Sequence, residues 1–447
     1  MAGRFVETQI RPGQGSLPAM RTTAGLLFPA FVLTLLVSVP GQCSGPGTAQ
    51  EASAKAVNAF AIDLYRQIEK PEGNFFFSPY SISTALGMAY AGACGRTASQ
   101  MAKALHFDLD QEKTIKAFRD LNAQVLATGR GKSIELNIAN ALWAEKSHSF
   151  RKEYLESIRT NFAPAKGWSS RVPVVKQMLE LVGTNYQEGV RQFDFRHAPE
   201  AARNTINNWV EDQTKHKIKD LLPPGSVTTD TRLVLSNAIY FKGLWESPFK
   251  KEVTKEAPFT PLGGKEVMVQ MMHTLRPYGF AEETGLQLLE IPYKGGELAM
   301  IVLLPHKGKH LEEFERSITL DKLGQWTGSL KTQKVEVFFP RFTMTSTFQL
   351  SAPLVKMGMK DAFSSADADF SGMTGRKDIF ISEGFHEAFV EVNEEGTEAA
   401  AATAVAMRTG SRPLTPVFRA DRPFLFLIQH KPSRCILFFG RATNPVK

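Results

Sequence analysis

Residues 391–412 read EVNEEGTEAAAATAVAMRTGSR, and the fold turns on how this stretch is taken. By intrinsic propensity the four alanines 399–402 belong in a helix. Their neighbours argue otherwise. Residues 388–393 (AFVEVN) are strand-like and lead straight in. Downstream, Pro413 and Pro416 interrupt a segment carrying Arg408, Arg412 and Arg419, which suits an exposed chain. In a strand, side chains alternate between two faces. One face would hold Thr397, Ala399, Ala401, Thr403, Val405 and Met407, none charged and most of them small. The other would hold Glu398, Ala400, Ala402, Ala404 and Ala406, with one charge at the end. Gly396 supplies a flexible hinge. Such a segment can enter the middle of a sheet without burying a charge. A chain able to be loop, helix or strand is what a metastable switch requires.

Upstream, the first half of the chain is helical in pattern. Residues 57–68 (VNAFAIDLYRQI) space their apolar side chains by three and four. A second helix starts at Ser81, with Ser78-Pro79 as its start signal. Residues 97–105, 112–126 and 204–214 follow the same period. The second half turns to strands at 233–241 (LVLSNAIYF), 286–291, 297–305, 334–339 and 388–392, and closes with hairpin material at 424–429 and 435–439. Helices first and strands later predict an α+β domain rather than alternating βαβ units. One local repeat stands out: 154–162 (YLESIRTNF) resembles 178–186 (MLELVGTNY). Two copies do not make a solenoid.

The N-terminus has the pattern of an export signal. Residues 24–39 (AGLLFPAFVLTLLVSV) form an apolar run with Arg21 before it and Pro40, Gly41 and small residues after it. The run is short for a bilayer span, which needs about 20 residues. Residues 1–43 are expected to be a signal peptide, with Met20 a candidate true start, and 44–53 a flexible lead-in. The expected location is secreted and extracellular, or periplasmic or lipid-anchored through Cys43 in a bacterial source. From residue 54 onward no linker divides the chain.

The net charge of +8 is spread along the sequence, with no run of five or more Lys or Arg. A solvated surface explains it better than a nucleic-acid or heparin face. Cys43, Cys94 and Cys435 lie far apart, with no CxxC; two buried free thiols are expected once Cys43 is removed. There is no GxSxG, HExxH or GxxxxGK[ST], and His386-Glu387 lacks the second histidine of a zinc motif. No catalytic residue, metal or cofactor is expected, and the chain does not read as an enzyme.

Longer motifs carry a resemblance. Residues 74–93 (NFFFSPYSISTALGMAYAGA), 237–249 (NAIYFKGLWESPF), 370–373 (FSGM), 391–403, 423–428 (PFLFLI) and 436–445 (ILFFGRATNP) occur in the order found in serpins. The chain resembles that family from about residue 54 to 445. The resemblance implies the serpin fold: one α+β domain over 54–447, about nine helices and three sheets, and an exposed reactive loop at about 394–420. It implies a suicide inhibitor of serine proteases, whose cleaved loop enters the main sheet and traps the acyl-enzyme. Elastase-like, subtilisin-like or trypsin-like proteases are the expected partners, with cysteine proteases as a further class. No nucleic acid, no stable membrane span and a monomeric state are expected. A non-inhibitory carrier, chaperone or storage protein is the alternative.

Carried over residue by residue, the hinge is Glu395, Gly396, Thr397, Glu398, Ala399, Ala400, Ala401 and Ala402. Ser78, Ser81, Asn237 and His386 match the shutter, the polar cluster under the strands that must part; Trp245 matches the breach, where insertion begins. Two reactive bonds remain open. Counting from the hinge gives Gly410-Ser411, and Arg408-Thr409 suits a trypsin-like pocket. The sequence departs from the family at Glu387, where a basic residue is common, at Gly384-Phe385, and in the duplication at about 154–186.

Overall fold

The computed structural model describes residues 49–68, 73–128, 133–162, 186–187, 190–308, 310–395 and 415–446. In chain order its elements are α1 (Ala49–Gln67), β1 (Phe75–Phe77), α2 (Pro79–Tyr90), α3 (Gly95–Ala104), α4 (Gln111–Thr128), β2 (Ile134–Glu145), α5 (Lys152–Asn161), β3 (Tyr186–Gln187), β4 (Val190–Phe193), α6 (Pro199–Gln213), β5 (Leu233–Gly243), β6 (Lys255–Phe259), β7 (Val267–Glu283), β8 (Leu286–Pro292), β9 (Leu298–Pro305), α7 (Leu311–Ser317), α8 (Leu320–Gly328), β10 (Lys331–Pro340), β11 (Phe342–Gln349), α9 (Ser351–Lys356), α10 (Ser371–Thr374), β12 (Ile381–Val392), β13 (Val417–Arg419), β14 (Phe424–His430) and β15 (Cys435–Ala442). The α+β class holds, with ten α-helices among the described residues where about nine were expected.

Six strands make one sheet in the order β11-β12-β5-β2-β4-β3. The others form a nine-stranded network, β1-β15-β14-β9-β8-β7-β10-β13, with β6 attached to β7. The expected three sheets count as two because β7 serves twice. Its residues Met271–Phe280 pair with β10, while its C-terminal end pairs with β8.

At the centre of the six-stranded sheet, β5 and β12 run parallel, from Leu233 opposite Ile381 to Phe241 opposite Val390. Both are buried along most of their length. Parallel pairs need both faces covered. α2, every residue of which is buried, packs on the inner side within the main core. α6 and the segment after it cover the outer side: Ile206, Val210, Ile218, Leu221 and Leu222 cluster with Trp143 of β2, Val234 and Ala238 of β5, and Phe385 of β12.

Two boundaries differ from the sequence-based expectation. The lead-in is not flexible to residue 53, since α1 starts at Ala49 and already buries Ser53 and Ala54. Its alanine-rich start extends the helix at little cost. The expected loop at 394–420 ends earlier, because Val417–Arg419 pair in parallel with Glu336–Phe338 of β10. Residues 1–43, expected to be a signal peptide, and most of the duplication lie outside the described residues.

Candidate functional site

The seam between β5 and β12 is closed by a polar row set into an apolar sheet. Register places Asn140 of β2 opposite Asn237 of β5, and Asn237 opposite His386 of β12. α2 brings two serines to this row. Ser78 is its N-cap: the Oγ accepts from the Ser81 backbone N–H at 3.1 Å and donates to the Leu437 carbonyl at 2.6 Å. This is the capping role for which serine is preferred. Asn237 Nδ2 donates to Ser81 Oγ (2.9 Å) and Asn140 Oδ1 (2.6 Å). Ser81 Oγ donates to Asn140 Oδ1 at 3.0 Å, and Asn140 Nδ2 donates to the Ser81 carbonyl at 3.1 Å. Ser78, Ser81, Asn237 and His386 thus meet in this row, together with Asn140, which no motif marked.

The histidine has one satisfactory tautomer. The Ser78 backbone N–H donates to Nε2 at 3.3 Å, so Nε2 is bare and Nδ1 carries the proton that bonds Asn237 Oδ1. That last bond spans the seam. Burial pushes the His386 pKa down to about 3, so the ring is neutral at physiological pH. Gly384 makes room nearby, because a Cβ there would lie 3.2 Å from the Leu350 Cβ.

At the end of the seam Trp245 is 2% exposed. Its ring stacks on Tyr293 at 4.5 Å, and Nε1 donates to the Asn393 carbonyl at 2.8 Å. Gly243 permits the stack, since a Cβ there would meet the Tyr293 ring at 2.5 Å. The chain leaving β12 is held by charge. Lys251 Nζ lies 2.6 Å from Glu395 Oε1 and holds that carboxyl below its ordinary pKa. Arg341 lies 3.5 Å from the buried Glu394. The sequence marked Glu395 but not its lysine, 144 residues away. The remaining hinge residues (Gly396, Thr397, Glu398, Ala399, Ala400, Ala401, Ala402) lie outside the described residues, as do both candidate bonds, Gly410-Ser411 and Arg408-Thr409. Cys94 and Cys435 are free thiols; Cys435 is buried, but Cys94 is only half-buried, at the N-terminus of α3. Among the described residues no helix is long and apolar enough to cross a membrane.

Comparison with known proteins agrees with this geometry. The family model described as serpin, serine protease inhibitor, matches residues 55–166 and 167–445. The chain is 41% identical over 405 residues to leukocyte elastase inhibitor A of Rattus norvegicus, covering 88% of this chain and 100% of that protein. It is 42% identical over 411 residues to serpin B4 of Homo sapiens, covering 88% and 99%. The crystal structure of uncleaved ovalbumin superposes with a TM-score of 0.75 at 31% identity, covering 88% of this chain and 100% of ovalbumin. The chain belongs to the serpin family.

The same comparisons correct the expected location. The kinship is with leukocyte elastase inhibitors and a B-type serpin, matched over nearly their whole lengths, and it does not fit a secreted assignment. Secretion is therefore withdrawn, together with the periplasmic and lipid-anchored variants.

Proposed function

We propose that the protein traps serine proteases by a suicide mechanism centred on the β5–β12 seam. A protease attacks the loop that leaves β12 and becomes acylated. The freed segment from Gly396 then turns back and enters the seam, antiparallel to β12. Because β12 is parallel to β5, the new strand is antiparallel to both. The observation that carries the reading is this central parallel pair, followed directly by a segment whose one strand face, Thr397 to Met407, is uncharged. Ser78, Ser81, Asn140, Asn237 and His386 act as the lock that must open, and Trp245 with Asn393 marks where entry starts. Elastase-like enzymes are the favoured targets, since similar relatives are named as inhibitors of leukocyte elastase. A reactive bond at Gly410-Ser411 suits a small or tolerant pocket.

The test is incubation with a trypsin, a chymotrypsin, an elastase and a subtilisin, read on a denaturing gel with mass spectrometry of the released C-terminal peptide. An SDS-stable band at the summed mass is expected, with a peptide starting at Ser411. A peptide starting at Thr409 would move the bond to Arg408. Clean cleavage by every protease with no complex would refute inhibition.

A further inference from the structure

The cover on the outer face of the six-stranded sheet straddles the seam. Ile206 and Val210 of α6, with Leu221 and Leu222 after it, share one apolar cluster with β5 through Val234 and Ala238 and with β12 through Phe385. β5 and β12 therefore cannot part while this cover stays seated.

Under it sits a carboxyl that the mechanism does not use. Glu387 is 6% exposed, on the same face of β12 as Phe385 and Phe389, opposite Thr347 of β11 and Ala238 of β5. Among the described residues no cation of the covering segment forms an ion pair with Glu387, and Lys217 comes nearest to its face. Lys215 pairs with Glu135 at 2.9 Å; His216 and Lys219 pair with Glu211 at 3.3 and 3.2 Å; Lys217 lies 5.5 Å from the Phe389 ring. On α6, Arg203 pairs with Glu200 at 2.8 Å. On β5, Lys242 lies 3.9 Å from Glu391. β11 carries no charged residue. The charge that bears on Glu387 is Asp220, of the same sign.

We propose that Glu387 is a pH-responsive latch on the cover: neutral, it lets α6 and the segment after it close over the seam, and ionised, it favours their lifting, so that strand entry accelerates as pH rises through neutrality. Burial, reinforced by Asp220 and opposed by a hydrogen bond to Thr347, raises this carboxyl to about 7. A buried anion that makes no ion pair among the described residues gains by reaching water. His386 lies on the opposite face; its protonation would cost Nε2 its role as acceptor from the Ser78 N–H, and burial moves that protonation down to about pH 3, so above pH 6.5 the latch acts alone.

This inference rests on the insertion reading, and the test separates the two. A synthetic peptide with the sequence of residues 397–407 (TEAAAATAVAM) is added to the uncleaved full chain at pH 6.5 and 8.5, and annealing is followed by tryptophan fluorescence. In the parent, the annealing rate should rise roughly threefold or more between these pH values. E387Q, which keeps the volume and the Thr347 partner, should anneal at one rate at both. D220N, which removes the like charge at a position of positive φ that asparagine tolerates, should move the rise to higher ionisation at lower pH. A flat parent, or an undiminished rise in E387Q, overturns the latch while annealing itself upholds insertion. A parent that never anneals at any pH overturns the insertion reading with it.

Discussion

Two adjacent buried groups on β12 should make the stability of this protein respond to acid in opposite directions. His386, pushed down by burial to about 3, starts from an ordinary value of 6.5. Between those values the unfolded chain takes up a proton and the native one does not, so stability falls as pH falls. Glu387, raised by burial to about 7, starts from 4.5. Between those values the native protein holds the extra proton, so stability rises as pH falls. One pKa unit is worth about 1.4 kcal/mol, so moving from pH 7.5 to 5 costs about 2 kcal/mol through His386 and returns about 2 kcal/mol through Glu387. In the parent the two nearly cancel. Urea unfolding at both pH values, followed by tryptophan fluorescence, separates them. Compared with the parent, H386Q should gain about 2 kcal/mol on acidification and E387Q should lose about as much. Because each variant's shift between the two pH values is compared with the parent's, other titrating groups such as His430, which burial also lowers, drop out. Three proteins shifting in parallel between the two pH values would refute both burial arguments.

Trp245→Phe keeps most of the stack on Tyr293 but deletes the donor to the Asn393 carbonyl. Native-state stability should fall by about 1–2 kcal/mol in thermal or urea unfolding, and an unchanged midpoint would remove that bond from the account. Thr397→Arg should convert the inhibitor into a substrate, because entry of the strand would bury an unpaired charge at a cost of several kcal/mol (roughly 2–7 even for a merely polar group). Complex formation equal to the parent on a denaturing gel would contradict strand entry.

The seam was legible in the sequence only where residues announce their environment. Ser78 stood out through Ser-Pro at a helix start, and the structure uses it as the cap. Asn237 and His386 were found by motif, and the register accounts for them as facing members of one row. Asn140 was missed because β2 has no strand signature: IELNIANALWAE is rich in alanine, leucine and glutamate, which favour helix, and only pairing on both sides makes it a strand. β7 was missed for another reason. Its 17 residues include Pro277 and Gly279, punctuation that ordinarily ends a strand. Glu387 was noticed as a departure in residue type, but its burial could not be read. Burial there depends on α6 folding back across the sheet, a contact between residues far apart in the chain.

Why such a seam stays shut, and why it does not reopen once filled, follows from its pairing. An entering strand removes one ladder, β5 with β12, and creates two. Over the register from Ile381 to Val390 the net gain is about one hydrogen bond per residue, on the order of nine bonds at about 1 kcal/mol each. Burial of Ala399, Ala401, Val405 and Met407 adds to that. A gain of this size is comparable with the whole stability of a domain, about 5–15 kcal/mol, so the filled sheet is effectively final. The gain arrives late, however. In the proposed mechanism Trp245 must release the Asn393 carbonyl at the outset, and the bond from His386 to Asn237 must break and the apolar cover lift before the strand can pass along the seam. An intact loop, anchored at Pro416 and Val417 on β10 as well as at β12, cannot pass deep enough to recover those losses. Cleavage frees one anchor, and the same contacts that held the native state become the barrier that a protease, by cutting, allows the chain to cross.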